Sequence, residues 1–374
     1  MLIDLGNIPL VNNLCKTRNE SLNCKRYPLR VIQDENLTMR LDTVVPADEM
    51  FSTYLYRSAV NRPYYEHCQR MWKDIESYQP RRVVDIGGND GTLLRAFRSQ
   101  ANYALELINV DASQSVRADN EAQGIHFIHS YWGDIKLDQK ADLIVSTNVF
   151  QHNSDVHKFL AGIRDNLDGI WLLEFPYFLE TVRTDQFDQI YHEHYYYWLV
   201  TPLVKLFREY GLSVISISEH PIHGGTLRII STNRAAPSVD VAAPYLAQER
   251  AMDFAAWAGV IERKIQEDRA YILSLPGRIA CFGAAAKGCV YLNSLNLSDR
   301  FLYVVDDTLE KQGFFVPGTG LEVVSRSRLY ADQPDHLIIL AHNFRDYIAK
   351  SLRGQFKGKM LTMLPKIEYL NAGV

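Results

Sequence analysis

Paired cysteines, long apolar runs and a surplus of basic charge are all missing from this sequence of 374 residues. Its five cysteines never form a C-x-x-C pair, so the sequence predicts neither a zinc knuckle nor a thioredoxin-type site. No run approaches the roughly 18 apolar residues of a membrane helix, and the opening residues lack a signal-peptide pattern. A formal net charge of -4 argues against a general nucleic-acid binder. We therefore expect a cytoplasmic protein with neither a membrane nor a nucleic-acid partner.

The composition is that of a folded chain with a substantial core. Hydrophobic residues make up 47% of the sequence, and its length is enough for two or three domains. Up to about residue 68 the chain reads as short irregular pieces interrupted by proline, whereas strand and helix patterns alternate from residue 82 onward. A charged, alanine-rich stretch at about 237–275 predicts one or two helices, after which the alternation resumes.

Alternating strands and helices predict an α/β protein with a parallel, doubly wound sheet and a second, smaller α/β unit. Apolar strand candidates include ADLIVSTNV at 141–149 and GIWLLEF at 169–175. We expect a small N-terminal module at 1–68, a central domain at 69–235 and a C-terminal domain at 236–374.

A first glycine-rich turn, DIGGNDG at 85–91, ends a predicted strand and begins a predicted helix. Its spacing is not the G-x-G-x-x-G of dinucleotide sites, and it resembles the turn that holds the methionine tail in class I methyltransferases. Asp111 ends the next strand, where a carboxylate can hold ribose hydroxyls, and Asn148 would line the methionine end. The alternative is a turn whose glycines serve geometry alone. The candidate S-adenosylmethionine-binding residues are Asp85, Gly87, Gly88, Asn89, Gly91, Asp111 and Asn148.

The most unusual stretch is YHEHYYY at 191–197, in which two histidines flank a glutamate among tyrosines. Two histidines are too few for a metal site, and H-E-x-x-H is absent. A histidine can act as a general base, a glutamate can orient it, and a tyrosine hydroxyl can donate to a developing oxyanion. The alternative is a buried histidine packed beside structural tyrosines.

A second small-residue turn, GAAAKG at 283–288, lies between a predicted strand and a predicted helix. It is not a Walker loop, because Lys287 precedes Gly288 and neither serine nor threonine follows. Lys287 can neutralise a diphosphate, and a loop around Lys311 can close over the same site. Tight packing of helix on strand, with Lys287 in solvent, is the alternative.

Taken together, these segments resemble the sugar C-methyltransferase family of deoxysugar biosynthesis, in order along nearly the whole chain. The most specific matches are YHEH, HGGTLR and GAAAKG. The matching stretches are DLGNIPLVN, YLYRS at 54–58, DIGGNDGTLL, STNVFQHNSD, LLEFPYF, FDQIYHEHYYYW, PIHGGTLR, CFGAAAKG, VVDDTLEKQGFFVPG and AHNFRDYI. The resemblance implies a class I methyltransferase central domain, a C-terminal Rossmann-like nucleotide domain and a small N-terminal module.

The resemblance also implies roles for individual residues. His194 would remove the sugar proton, Glu193 would orient it, and Tyr191 and Tyr56 would assist the enolate or bind the sugar. The residues assigned by position to substrate binding are His192, Glu174, His223, Gly224, Lys287, Lys311 and Asn343.

Two departures from the family pattern are visible. Both cysteine half-sites of the family's N-terminal zinc site are missing, so we expect no metal and a module held by packing on its neighbours. His342 stands where the family more often has an aromatic residue, which changes the shape expected for the nucleotide pocket.

The resemblance implies an S-adenosylmethionine-dependent enzyme, a monomer or small homo-oligomer, whose substrate is a nucleotide-diphosphate keto sugar. It would deprotonate carbon 3 of the 4-keto sugar and methylate the enolate carbon. The alternatives are methyl transfer to oxygen or nitrogen, a nicotinamide oxidoreductase built on GAAAKG, and a non-catalytic nucleotide-sugar-binding protein.

Overall fold

The computed structural model of the protein describes residues 1–50, 62–235 and 239–370, and its strands form three sheets. The strands are β1 (Ile3–Pro9), β2 (Arg26–Gln33), β3 (Met39–Leu41), β4 (Arg82–Ile86), β5 (Glu106–Asp111), β6 (His126–His129), β7 (Ala141–Thr147), β8 (Leu167–Pro176), β9 (Tyr196–Tyr197), β10 (Ser213–His220), β11 (Thr226–Thr232), β12 (Ile279–Phe282), β13 (Phe301–Val305), β14 (Val323–Val324), β15 (His336–Ile339), β16 (Lys359–Thr362) and β17 (Glu368–Tyr369). The helices are α1 (Arg18–Leu22), α2 (Ala47–Met50), α3 (Arg62–Trp72), α4 (Thr92–Gln100), α5 (Arg117–Glu121), α6 (Val156–Asn166), α7 (Phe178–Arg183), α8 (Val200–Glu209), α9 (Ala243–Ala251), α10 (Phe254–Ser274), α11 (Ala286–Leu295), α12 (Arg326–Asp332) and α13 (Arg345–Leu352). Among these helices, none is long and apolar enough to span a membrane.

The central sheet has seven strands in the order β10-β11-β8-β7-β4-β5-β6. Strands β4 to β8 run parallel, as the alternation predicts, because each is followed by a crossover. Side chains alternate between two buried layers: Val84 and Ile144 face one core, and Val83 and Val145 face the other. This burial on both faces accounts for the apolar composition of the strands.

Strand β11 departs from the expected parallel arrangement. It runs antiparallel to both β10 and β8. Residues 221–225 are the whole connection between β10 and β11, which is too short for a crossover and permits only an antiparallel pair. The register places Arg228 of β11 opposite Glu174 of β8.

The six-stranded C-terminal sheet has the order β14-β13-β12-β15-β16-β17 and is parallel except for β17. The alanine-rich stretch before it forms the two helices α9 and α10. The second glycine-rich turn follows β12 and leads into α11. The predicted domain boundaries remain predictions.

The N-terminal sheet combines three early strands with β9 from the middle of the chain, in the order β1-β2-β3-β9. The same module contacts the C-terminal unit: Ser21 Oγ donates to the Val316 carbonyl at 2.6 Å, and Arg26 donates to the Gly318 carbonyl at 2.9 Å. Strand β9 begins two residues after YHEH ends, so the early part of the chain and the segment of the histidine cluster are joined in one sheet.

Candidate active site

The first glycine-rich turn connects β4 to α4 at the carboxyl edge of the central sheet. Gly87 and Gly91 have φ angles of 65° and 75°, a region that glycine adopts without strain. A Cβ atom on Gly88 would lie 2.6 Å from Asp85 Oδ2 and 2.7 Å from Asn109 Oδ1. This turn, which we call the cradle, therefore requires glycine at position 88, because a side chain there would collide with Asp85 and Asn109.

Two asparagines hold this cradle in shape. Asn109 accepts a hydrogen bond from the Gly88 N–H at 3.1 Å and donates to the Asn89 carbonyl at 2.8 Å. Asn120 also donates to the Asn89 carbonyl at 2.8 Å. Sequence analysis missed both residues, although Asn109 precedes the predicted Asp111 by two positions and therefore lies on the same face of β5.

The predicted acidic residues lie at the ends of neighbouring strands. Asp111 accepts from the Asn89 N–H at 3.0 Å, and burial raises the pKa of its carboxyl group. Burial, reinforced by Asp111 and Asp90, raises the pKa of Asp85 well above its usual range. Asn148 has a φ of 55° and donates its N–H to the Glu174 carbonyl at 2.9 Å. These polar groups around a glycine cradle fit a cationic ligand with ribose hydroxyls, such as S-adenosylmethionine.

Substituting Gly88 by alanine is expected to weaken S-adenosylmethionine binding by about tenfold or more, because the new methyl group displaces Asp85 and Asn109. Isothermal titration calorimetry measures this change. Gly259→Ala on α10 is the control, since the nearest atom to its Cβ is the end of Arg263 at 3.5 Å. Unchanged affinity in Gly88→Ala would contradict the placement of the cofactor in this turn.

His194 lies buried beside Tyr191, and the tyrosine hydroxyl and His194 Nε2 are hydrogen bonded at 2.7 Å. Burial lowers the pKa of His194 well below its usual range, and His152 and Lys287 act in the same direction. A hydrogen bond to the Gln189 carbonyl opposes this shift and fixes the ring. The imidazole is therefore neutral near pH 7 and can accept a proton.

Glu193 is bonded to the N-terminal module. Asn12 Nδ2 donates to Glu193 Oε1 at 2.5 Å, and the Glu193 carbonyl is hydrogen bonded to His152 Nδ1 at 2.8 Å. The rings of His152 and His194 meet edge to face, with centroids 4.9 Å apart. In the structure, Tyr191 and Gln189 orient the His194 ring, so orientation by the Glu193 carboxylate stays a prediction.

Burial raises the pKa of Glu193 from 4.5 to about 7, so the folded protein binds this proton more tightly than the unfolded chain does. The contribution of Glu193 to stability is therefore complete below about pH 4.5 and is lost as the pH rises towards 7. Glu193→Gln is expected to remove this loss, on the order of 3 kcal/mol, and to flatten the dependence of unfolding free energy on pH. Urea denaturation between pH 4.5 and 8 measures it, with the exposed Glu121→Gln as control. If the unfolding free energy changed with pH by the same amount in wild type and in Glu193→Gln, the raised pKa of Glu193 would be refuted.

The second glycine-rich turn brings the C-terminal unit to the same place. It repeats a feature of the first, since Gly283 N–H donates to the Val305 carbonyl at 2.8 Å, as Gly87 N–H does to Val110. Burial lowers the pKa of Lys287 to about 8, although Asp188 acts in the opposite direction. The charge of Lys287 also lowers the pKa values of His194 and Asp188, so it acts electrostatically on both groups.

Glu174, predicted to bind substrate, lies in a buried ion cluster. Arg228 Nε donates to Glu174 Oε1 at 2.7 Å, and His67 Nε2 is 3.0 Å from both carboxylate oxygens. Arg228 also pairs with Asp74. These partners lower the pKa of Glu174 despite the cost of burial. Its carboxylate is already engaged within the protein.

The other residues predicted to bind substrate are spread over three units. His192 Nε2 is 3.3 Å from the Pro28 carbonyl, and Lys311 Nζ donates to the Ala284 carbonyl at 2.8 Å. Gly224 and Asn343 face each other, since a Cβ atom on Gly224 would lie 3.1 Å from Asn343 Oδ1. Tyr56 and the side chain of His223 lie outside the described residues. These substrate assignments stay predictions.

Two family models match the chain in succession. Residues 56–217 match a model described as a methyltransferase domain, and residues 221–365 match one described as a C-methyltransferase C-terminal domain. The chain is 24% identical to the C-methyltransferase NovU of Streptomyces niveus, over 99% of this chain and 94% of that protein.

Solved structures are similar over about half of the chain. A magnesium protoporphyrin IX methyltransferase from Synechocystis PCC 6803 is 12% identical, with 46% of this chain and 84% of that one covered at a TM-score of 0.38. A 1,6-didemethyltoxoflavin-N1-methyltransferase from Burkholderia thailandensis is 15% identical, with 54% and 98% covered at a TM-score of 0.37.

Proposed function

Because the chain belongs to the C-methyltransferase family and its cofactor is S-adenosylmethionine, we propose that it methylates carbon 3 of a nucleotide-linked 4-keto sugar. The observation that carries this proposal is the buried, neutral His194, bonded to Tyr191 where the central and C-terminal units meet. A sugar carbon becomes nucleophilic only when a neighbouring ketone lets its proton be removed, and this site offers the base that such a step requires.

In the proposed reaction, His194 accepts the proton from the carbon beside the ketone. Its ring is held through the Gln189 carbonyl, which leaves Nε2 as the proton acceptor. Tyr191 occupies Nε2 before substrate arrives, and its hydroxyl then turns to the ketone oxygen and donates to the developing enolate. Loss of a hydrogen-bond donor to a developing oxyanion typically costs about 3 kcal/mol in the transition state.

The cofactor supplies an electrophilic methyl group when it is bound. The turn at Gly87–Gly91 would hold its methionine end, and Asp111, which also accepts from the Asn89 N–H, would hold the ribose end. The protein's contribution to this step is alignment, which replaces a bimolecular encounter by an oriented one. Lys287 and Asn343 neutralise and bind the diphosphate side of the substrate.

Mass spectrometry in heavy water, with S-adenosylmethionine and a panel of nucleotide-linked 4-keto sugars, tests the proposal. We expect a sugar to gain the mass of one methylene group, and deuterium to enter beside the ketone when the cofactor is omitted. Methyl gain without deuterium exchange would replace the proposal by transfer to oxygen or nitrogen. Binding of the sugars without exchange or methyl gain would indicate a non-catalytic binding protein.

A further inference from the structure

Two acceptor atoms near His194 are buried without a hydrogen-bond partner among the described residues: Asp188 Oδ1 and Gln186 Oε1. Asp188 and Gln186 are only 1% and 4% exposed. Burying an oxygen atom away from water without giving it a hydrogen-bond donor costs free energy. Two such oxygen atoms in one short segment therefore require an explanation. A ligand that brings hydrogen-bond donors supplies one.

Asp188 is held from the opposite side by the C-terminal unit. His342 Nε2 is 3.0 Å from Asp188 Oδ2, and both side chains are buried. Burial alone would raise the pKa of Asp188, but His342 and Lys287 outweigh it and hold the pKa below its usual range. The free Oδ1 therefore belongs to a fixed, ionised carboxylate, which is a strong acceptor.

Gln186 is fixed in a similar way by its nitrogen atom. Gln186 Nε2 donates to the Gly224 carbonyl at 2.9 Å and to Thr184 Oγ1 at 2.6 Å, which leaves Oε1 without a donor. A Cβ atom on Gly224 would collide with Gln186 Oε1 and would lie 2.9 Å from Gln189 Nε2. The amide groups thus pack against the backbone of Gly224, where any side chain would displace them.

These acceptors lie on the side of the proposed site where proton removal takes place. Asp188 directly precedes Gln189, whose carbonyl is hydrogen bonded to the His194 ring, so the two acceptors belong to the short segment that holds the base. We therefore place a group bonded to Asp188 on the side of the site where the base lies.

We propose that Asp188 and Gln186 accept hydrogen bonds from hydroxyl groups of the sugar beside the reacting carbon, and that His342 positions Asp188 for this contact. The inference rests on the proposed function and narrows its substrate class. The accepted sugar keeps a hydroxyl group next to carbon 3, and a sugar deoxygenated at carbon 2 is rejected. An analogue without that hydroxyl leaves the buried acceptors unpaired, which is the strongest form of discrimination available to a polar site.

The test compares thymidine diphosphate-linked 4-keto-6-deoxyglucose with its 2-deoxy counterpart. The readouts are kcat/KM, deuterium exchange beside the ketone and the calorimetric Kd. Wild type is expected to prefer the 2-hydroxyl probe by about 100-fold, and Asp188→Asn to lower that preference below about tenfold. Gln186→Met is the second variant, for use if Asp188→Asn does not fold. Asp268→Asn is the matched control, because Asp268 is an equally buried carboxylate bonded to Lys264 and Tyr291.

The inference would be overturned if wild type preferred the 2-hydroxyl probe by less than about tenfold in kcat/KM. It would also be overturned if both variants kept the full wild-type preference, since the acceptors would then hold water alone. If neither probe is exchanged or methylated, the proposed function fails, and the Kd values decide the inference independently. Tighter binding of the 2-hydroxyl probe that depends on Asp188 supports it, whereas equal binding of the two probes overturns it.

Discussion

Replacing His194 by asparagine is expected to lower turnover by about 1,000-fold while both ligands still bind, because the variant loses the proton acceptor but keeps a polar side chain of similar size. The loss should also abolish deuterium exchange at the sugar carbon, which reports proton removal separately from methyl transfer. Single-turnover kinetics and calorimetry with S-adenosylmethionine measure the two effects.

The control for this substitution is His157→Asn. His157 lies on α6 and is bonded through Nδ1 to the Tyr210 hydroxyl at 2.9 Å on the exposed surface. It is expected to keep wild-type turnover. Turnover of His194→Asn within tenfold of wild type would show that another group removes the proton.

Replacing Arg228 by leucine is expected to destabilise the protein by about 3–5 kcal/mol, the largest effect on folding predicted for any single residue here. Arg228 and Glu174 have side chains that are each 2% exposed, so removing the cation leaves the Glu174 carboxylate buried, with His67 as its one remaining side-chain partner among the described residues. Urea denaturation at constant pH gives the change in unfolding free energy.

Arg234→Leu provides a matched control close by in the chain. Arg234 pairs with Asp168 at 3.0 Å, but their side chains are 59% and 64% exposed, so water screens the pair. We expect a change of at most about 1 kcal/mol. Similar losses for the two arginines would mean that burial does not determine the strength of the Arg228 cluster.

The sequence predicted those features that depend on local spacing. The expected α/β fold, with a class I methyltransferase domain that uses S-adenosylmethionine, is confirmed. The glycine-rich turn could be recognised because Gly87 and Gly91 have a fixed separation and follow an apolar strand. Alternation also predicted the parallel strands β4 to β8, but the short 221–225 connection, which makes β11 antiparallel, was not taken into account.

Contacts between distant segments could not be derived from the sequence. Asn12 and Glu193 are 181 positions apart, and Asp188 and His342 are 154 apart. No periodicity links such pairs, because their approach depends on how three sheets pack. His342 was visible as a departure from the family pattern, but its partner Asp188 became apparent only from the fold.

The position of β9 limits how this protein can be recombined with its relatives. Tyr196 and Tyr197 extend a sheet built from the first strands of the chain, and they follow the proposed base by two and three positions. A chimera that exchanges only the central segment would join a foreign edge strand to β3 and would break the contact between Asn12 and Glu193. A chimera that is to change specificity and keep the base must therefore take residues 1–50 and the segment around His194 from the same parent protein.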